Sequence, residues 1–148
     1  MASAAQDNTS LTKLTLPSTL KAIGNYAFGT SGDKSGMGIT ELVIPDGVES
    51  IGDNAFRNAK SLAKLAVGKG VKSIGANAFY GAAITDLSYG ANAEIKDNSF
   101  AEVAADAKIT IGDAVKAFPA GIVGKYASLT EVTLGAGVTQ LPANAFNG

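Results

Sequence analysis

One pattern is written six times along this chain: L-x-L-[P/G]-x-x-[V/L]-x-x-I-x-x-N-A-F. A fixed period in the range of about 20–50 residues marks a repeat array, in which no unit can bury its apolar face alone. The central strand residues are Leu14, Leu42, Leu65, Leu87, Ile109 and Val132, separated by 28, 23, 22, 22 and 23 residues. Stacking such units sets like upon like. Function is therefore to be sought in what each repeat displays along the array, not in a closed pocket.

Each unit opens with apolar/polar alternation, which predicts a short strand with one buried face. Pro17, Pro45, Gly68, Gly90, Gly112 or Gly135 then ends the strand and starts a turn. A second extended piece follows, Val48 to Ile51 in the second repeat. After it comes Ala-Phe, as in Ala27-Phe28, Ala55-Phe56, Ala78-Phe79 and Ala145-Phe146, where a short turn of helix is expected. Asn54, Asn77, Asn98 and Asn144 stand two before the Phe, which suits an N-cap or turn whose side chain bonds nearby backbone N–H groups. A further apolar residue precedes each anchor by three (Leu11, Ile39, Leu62, Ile84, Leu129), except for Asp106 in repeat five. Repeat four is one residue short, and repeat five drifts, carrying Phe118-Pro119 in place of the usual ending.

Residues 1–10 read as an N-terminal lead-in or partial cap, and 11–148 as six repeats. The segment 29–38 is a Gly/Ser-rich insertion, predicted to be a mobile surface loop. The chain stops within a repeat at Phe146-Asn147-Gly148. That leads us to expect further repeats C-terminal to it, or a partner copy over the final edge.

At 148 residues and 46% apolar content the chain can build a real core. A net charge of −1 carries no electrostatic footprint for nucleic acid or an anionic membrane. No apolar run is long enough for membrane insertion by this segment. There is no Cys, His or Trp, so disulfides, thiolate metal sites and His-based acid/base chemistry are all excluded. No cofactor is implied. Gly121-Ile-Val-Gly124-Lys125 has the wrong spacing for a phosphate loop, and Asp33-Lys-Ser-Gly lacks the further carboxylates of a calcium loop. Enzyme activity is not expected.

The pattern L-x-x-L-x-L-P-x-x-[LV]-x-x-I-x-x-x-A-F, matched in full from Leu62 to Phe79, resembles the BspA-like (Treponema pallidum type) leucine-rich repeats over about residues 11–148. The resemblance implies a leucine-rich repeat solenoid. Its short parallel β-strands stack in a right-handed coil, with turns and short helical segments on the other side. The family often carries Cys three after the Phe, where this chain has Ala59, Ala82, Val103 and Tyr126. The resemblance also implies an extracellular or cell-surface adhesion module, bacterial in most cases, with protein or glycan surface ligands. The alternative is a structural spacer with no ligand of its own.

The residues before the anchors should point outward: Lys13, Glu41, Lys64, Asp86, Lys108 and Glu131. Their signs alternate without exception. Lys21, Glu49, Lys72, Glu94 and Lys116 suggest a second column in the same phase. Unlike charges stacked at strand spacing attract and like charges repel, so alternation sets register. A ligand stripe is the other reading. After the anchors lie Thr15, Val43, Ala66, Ser88, Thr110 and Thr133, a small, Thr-rich candidate binding face without aromatic anchors. Tyr26, Tyr80 and Tyr126 lie near turns, as rim contacts or partial packing.

Overall fold

In a computed structural model of the chain the described residues are 8–32, 34–102, 106–123, 128–143 and 145–146. Asp33, Val103, Gly124, Lys125, Tyr126 and Asn144, together with most of the 1–10 lead-in, lie outside them. The strands are β1 (Ala22–Ile23), β2 (Glu41–Ile44), β3 (Ser50–Ile51), β4 (Lys64–Val67), β5 (Ser73–Ile74), β6 (Asp86–Tyr89), β7 (Glu94–Ile95), β8 (Ala107–Ile111) and β9 (Leu129–Leu134). One helical turn, α1 (Ala120–Val123), lies in the drifting fifth repeat. The architecture is a parallel β-solenoid, as the repeat predicts. One side is a five-stranded sheet in the order β2-β4-β6-β8-β9, and the next is a four-stranded sheet in the order β1-β3-β5-β7. Every pair is parallel and joins one repeat to the next.

The third side carries a ladder of its own, built from the Ala-Phe turns. The N–H groups of Phe28, Phe56 and Phe79 donate to Ala55, Ala78 and Ser99 carbonyls at 2.8, 2.7 and 2.8 Å. These segments are turns, not the expected turn of helix. The reason is a pair of left-handed residues flanking Phe56, Phe79 and Phe100. Asn54, Asn77 and Asn98 have φ of 56°, 55° and 57°, and two residues past the Phe stand Asn58, Gly81 and Glu102 at 60°, 67° and 53°. A helix cannot run through left-handed residues. Asn54 acts through that conformation, not through the side-chain bond expected of it, since its buried Oδ1 has no hydrogen-bond partner.

The interior is a set of columns. Leu42, Leu65, Leu87 and Ile109 stack, as do Ile44, Val67, Tyr89 and Ile111, and all are buried. Phe28, Phe56, Phe79 and Phe100 form a continuous ring stack with centroids 5.3, 5.2 and 5.1 Å apart. The stack does not extend into the irregular fifth repeat. Phe118 instead meets Phe146 edge-on at 71°.

The surface-loop insertion 29–38 is anchored at several of its described residues, while Ser31, Gly32, Lys34 and Ser35 are exposed. Thr30, Gly36 and Met37 are buried, Gly36 N–H bonds the Asn58 carbonyl at 2.8 Å, and Asn58 Nδ2 bonds the Gly32 carbonyl at 2.6 Å. Met37 supplies the apolar anchor that a Gly/Ser count overlooks. Two expectations need correcting. Repeat one forms no strand over 12–16. In the next three steps the closing ladder bond comes from Gly68, Gly90 and Gly112 N–H to Ile44, Val67 and Tyr89 carbonyls. The equivalent residue facing repeat one is Pro45, which has no N–H. Finally, Glu94 pairs with Ser73 and not with Lys72, because the short fourth repeat shifts it by one residue.

Two outcomes follow for stability, both read by denaturant unfolding. Phe79→Ala opens a cavity in the middle of the ring stack and is expected to cost about 3–5 kcal/mol. Tyr26 occupies the Asn column with φ of 54° and is 38% exposed. Tyr26→Asn places a residue tolerant of that conformation there and is expected to gain roughly 1 kcal/mol.

Candidate functional site

The five-stranded sheet carries the candidate binding face, and strand alternation places it. In β2 the burial runs exposed, buried, exposed, buried over Glu41, Leu42, Val43 and Ile44. Leu42 and Ile44 therefore fill the core while Glu41 and Val43 face out. Parallel registry then builds the columns. Glu41, Lys64, Asp86, Lys108 and Glu131 are successive Cα partners, as are Val43, Ala66, Ser88, Thr110 and Thr133. Five of the six repeats deliver their predicted residues to this face. Repeat one does not, so Lys13 and Thr15 lie off the sheet.

The charged column holds two surface ion pairs among the described residues. Lys64 Nζ lies 3.0 Å from Glu41 Oε1, and Lys108 Nζ lies 3.4 Å from Glu131 Oε2. Among the described residues no ion pair joins Lys13 to Glu41. The hydrogen bond with Glu41 holds the Lys64 ammonium above the ordinary lysine value, and Asp86 adds to it. On the neighbouring side, Lys72 bonds Glu49 at 2.7 Å and holds that carboxyl below its ordinary value. Glu49 thus favours the fold above the ordinary carboxylate pKa, and this is lost as pH falls through its lowered value. Lys64 favours it below the ordinary lysine pKa, and this is lost as pH rises through its raised value. All these groups are solvated, so they steer register more than they add stability.

Turn backbone groups are bonded by short polar side chains of the preceding repeat. Asn25 Oδ1 accepts the Asp53 N–H at 2.9 Å, and Asp53 Oδ1 accepts the Ala76 N–H at 2.8 Å. Asp46 does the same for Lys69, Asn92 for Lys116 and Asp113 for Ala136, at 3.0, 2.8 and 2.8 Å. Reading the sequence by charge columns overlooked these staples. Their signal is the Asn or Asp that recurs in the turns after the strands. Several carboxylates are therefore engaged by the next repeat's backbone. The hydroxyls of Thr85 and Thr130 donate to the Ala63 and Ala107 carbonyls of the preceding repeat.

What remains open is a shallow trough of about 340 Å³ along Val43, Ala66, Ser88 and Tyr89, bounded below by Asp46 and Lys69. Val43, 65% exposed, is the exposed large apolar side chain among its lining residues. A second opening, of about 500 Å³, lies between residues 12–16 and β2. Among the described residues no group of three acidic, His or Cys side chains is placed to hold a metal ion, and no helix is long and apolar enough to cross a membrane. Of the tyrosines, Tyr26 is exposed at its turn, and Tyr80 is half-buried beneath the Arg57 guanidinium, 5.1 Å from the ring centroid.

Two measurements check this description. Glu41→Lys places like charges beside Lys64 and is expected to lower the unfolding midpoint more than Thr40→Lys, with added salt shrinking the difference. Burial pushes the Tyr89 phenol above its ordinary value of 10.0, partly offset by the Ala93 N–H bonded to its oxygen. Its neutral form therefore favours the fold below that value, and the benefit is lost as pH rises from there through the raised pKa. Tyr89→Phe is expected to keep neutral-pH stability within about 1.5 kcal/mol and to flatten the alkaline loss seen in a pH series of melts.

A family model described as the BspA type leucine-rich repeat region matches in six copies, over residues 2–35 and 34–148. No curated protein matches the chain. No solved structure matches it either. Stacked parallel repeats, the Pro or Gly that ends each strand and the buried Ala-Phe turns fit that family, and the chain belongs to the BspA-type leucine-rich repeats.

Proposed function

We propose that this chain is a non-enzymatic adhesion module at a cell surface or outside the cell. It binds protein or glycan surface ligands, of a host or of other microbes, through the outer face of the five-stranded sheet. The observation that carries this reading is the face itself: five repeats hold Val43, Ala66, Ser88, Thr110 and Thr133 in one unbroken register. Such a row matches an extended ligand better than a small molecule. The flanking ion pairs neutralise one another, so shape and hydrogen bonding carry the recognition and strong charge does not. Leucine-rich repeats of this family are interaction modules, which supports the same reading.

The test is binding to immobilised fibronectin, fibrinogen and mucin, compared between the chain and Ala66→Arg. The arginine lands mid-face, where the side chain meets solvent, and is expected to abolish capture while the melting temperature stays within a few degrees. Capture that survives Ala66→Arg places the ligand elsewhere. A chain that binds nothing on a broad panel is a spacer, whose unfolding midpoint rises with added repeats.

A further inference from the structure

The opening between residues 12–16 and β2 has a volume of about 500 Å³. It falls within the usual range for a ligand site, about 300–1,000 Å³. Its walls are Thr12, Leu14 and Leu16 on one side and Thr40, Leu42 and Val43 on the other. Two close backbone approaches bound it. A Cβ on Gly38 would overlap the Thr9 carbonyl oxygen, and one on Gly47 would overlap the Ser18 carbonyl oxygen. Between these points the chain of repeat one stands away from β2.

The edge of β2 that faces this cleft is unpaired. The Thr40 and Ile44 carbonyls accept Lys64 and Gly68 N–H from β4. Alternation then turns the N–H and C=O of Glu41 and Val43 to the opposite side, into the cleft. Neither residue has a backbone partner there. Pro45 keeps the gap from closing like the other steps, since it lacks the third donor. The unmade Lys13–Glu41 pair is a second sign of the same separation.

We propose that this cleft accepts a short extended peptide from a partner protein, which adds its backbone to the free edge of β2. Exposed strand edges pair with extended chains because alternate C=O and N–H groups match their spacing. The charges define the peptide further. A residue lying between Lys13 and Glu41 meets a base on one side and an acid on the other, so either charge is repelled by one of them. The segment therefore carries an uncharged polar residue there, flanked by apolar side chains directed at the partly buried Leu14 and Leu16. The proposal rests on the interaction reading above but names a separate surface with its own readout.

Amide hydrogen exchange on the whole chain tests it, with acetyl-Thr-Val-Thr-Val-Thr-amide as the probe. In the free chain, Glu41 and Val43 amides are expected to exchange roughly a hundredfold faster than Lys64. Added peptide should slow both by roughly tenfold or more. The same peptide methylated on its backbone nitrogens should not, and Pro45→Gly, which restores the missing donor, should close the cleft and weaken binding. Two results overturn the proposal: protection of both amides without peptide, or no protection at millimolar peptide. Neither depends on the surface-ligand panel, so failure here and failure of the adhesion reading are separate events.

Discussion

Backbone hydrogen bonding between successive repeats is the constraint on which the rest of this protein depends. A parallel ladder locks neighbouring chains about 4.8 Å apart, and here all three sides of the coil obey one rise. Each side chain then sits above its counterpart in the previous repeat. The ring stack shows the consequence: phenylalanines from four repeats lie 5.1–5.3 Å apart because the backbones on either side hold them there. Glycine appears where the stacking is tightest. A Cβ at Gly70 would overlap the Asp46 carbonyl oxygen of the previous turn.

A coil of this kind must satisfy polar groups wherever it bends, since turn N–H groups have no ladder of their own. Left-handed Asn residues bend the chain around Phe56, Phe79 and Phe100, and the Asp and Asn staples catch N–H groups of the following repeat. The repeating acidic and amide residues thus serve the architecture first. Where one repeat departs from the pattern, the loss is local. Repeat four is one residue short and takes Glu94 out of its column, while β6 and β8 still pair in full register.

The candidate binding face inherits this order. Its columns carry small side chains beside charges of alternating sign. Beside β2 the ladder is interrupted where Pro45 has no N–H to donate. This interruption turns a continuous sheet side into a sheet with an accessible edge. Specificity in a repeat array comes from such departures, because a perfect repeat offers the same contact everywhere.

The solenoid, the strand-ending Pro and Gly positions and the outward columns from Glu41 and Val43 onward were legible in the sequence. Period and alternation are local properties, and stacking carries them into three dimensions unchanged. The turn geometry around Phe56, the packing of Met37, the place of Glu94 and the gap beside Lys13 were not. Each of these depends on what a neighbouring repeat presents: a left-handed Asn on both sides of the ring, a docking surface at Asn58, one absent residue, one absent N–H. The sequence by itself determined which side chains share a column. Only the tertiary structure decided where a column breaks, because a break is set by hydrogen bonds between repeats that lie 22 to 28 residues apart in the chain.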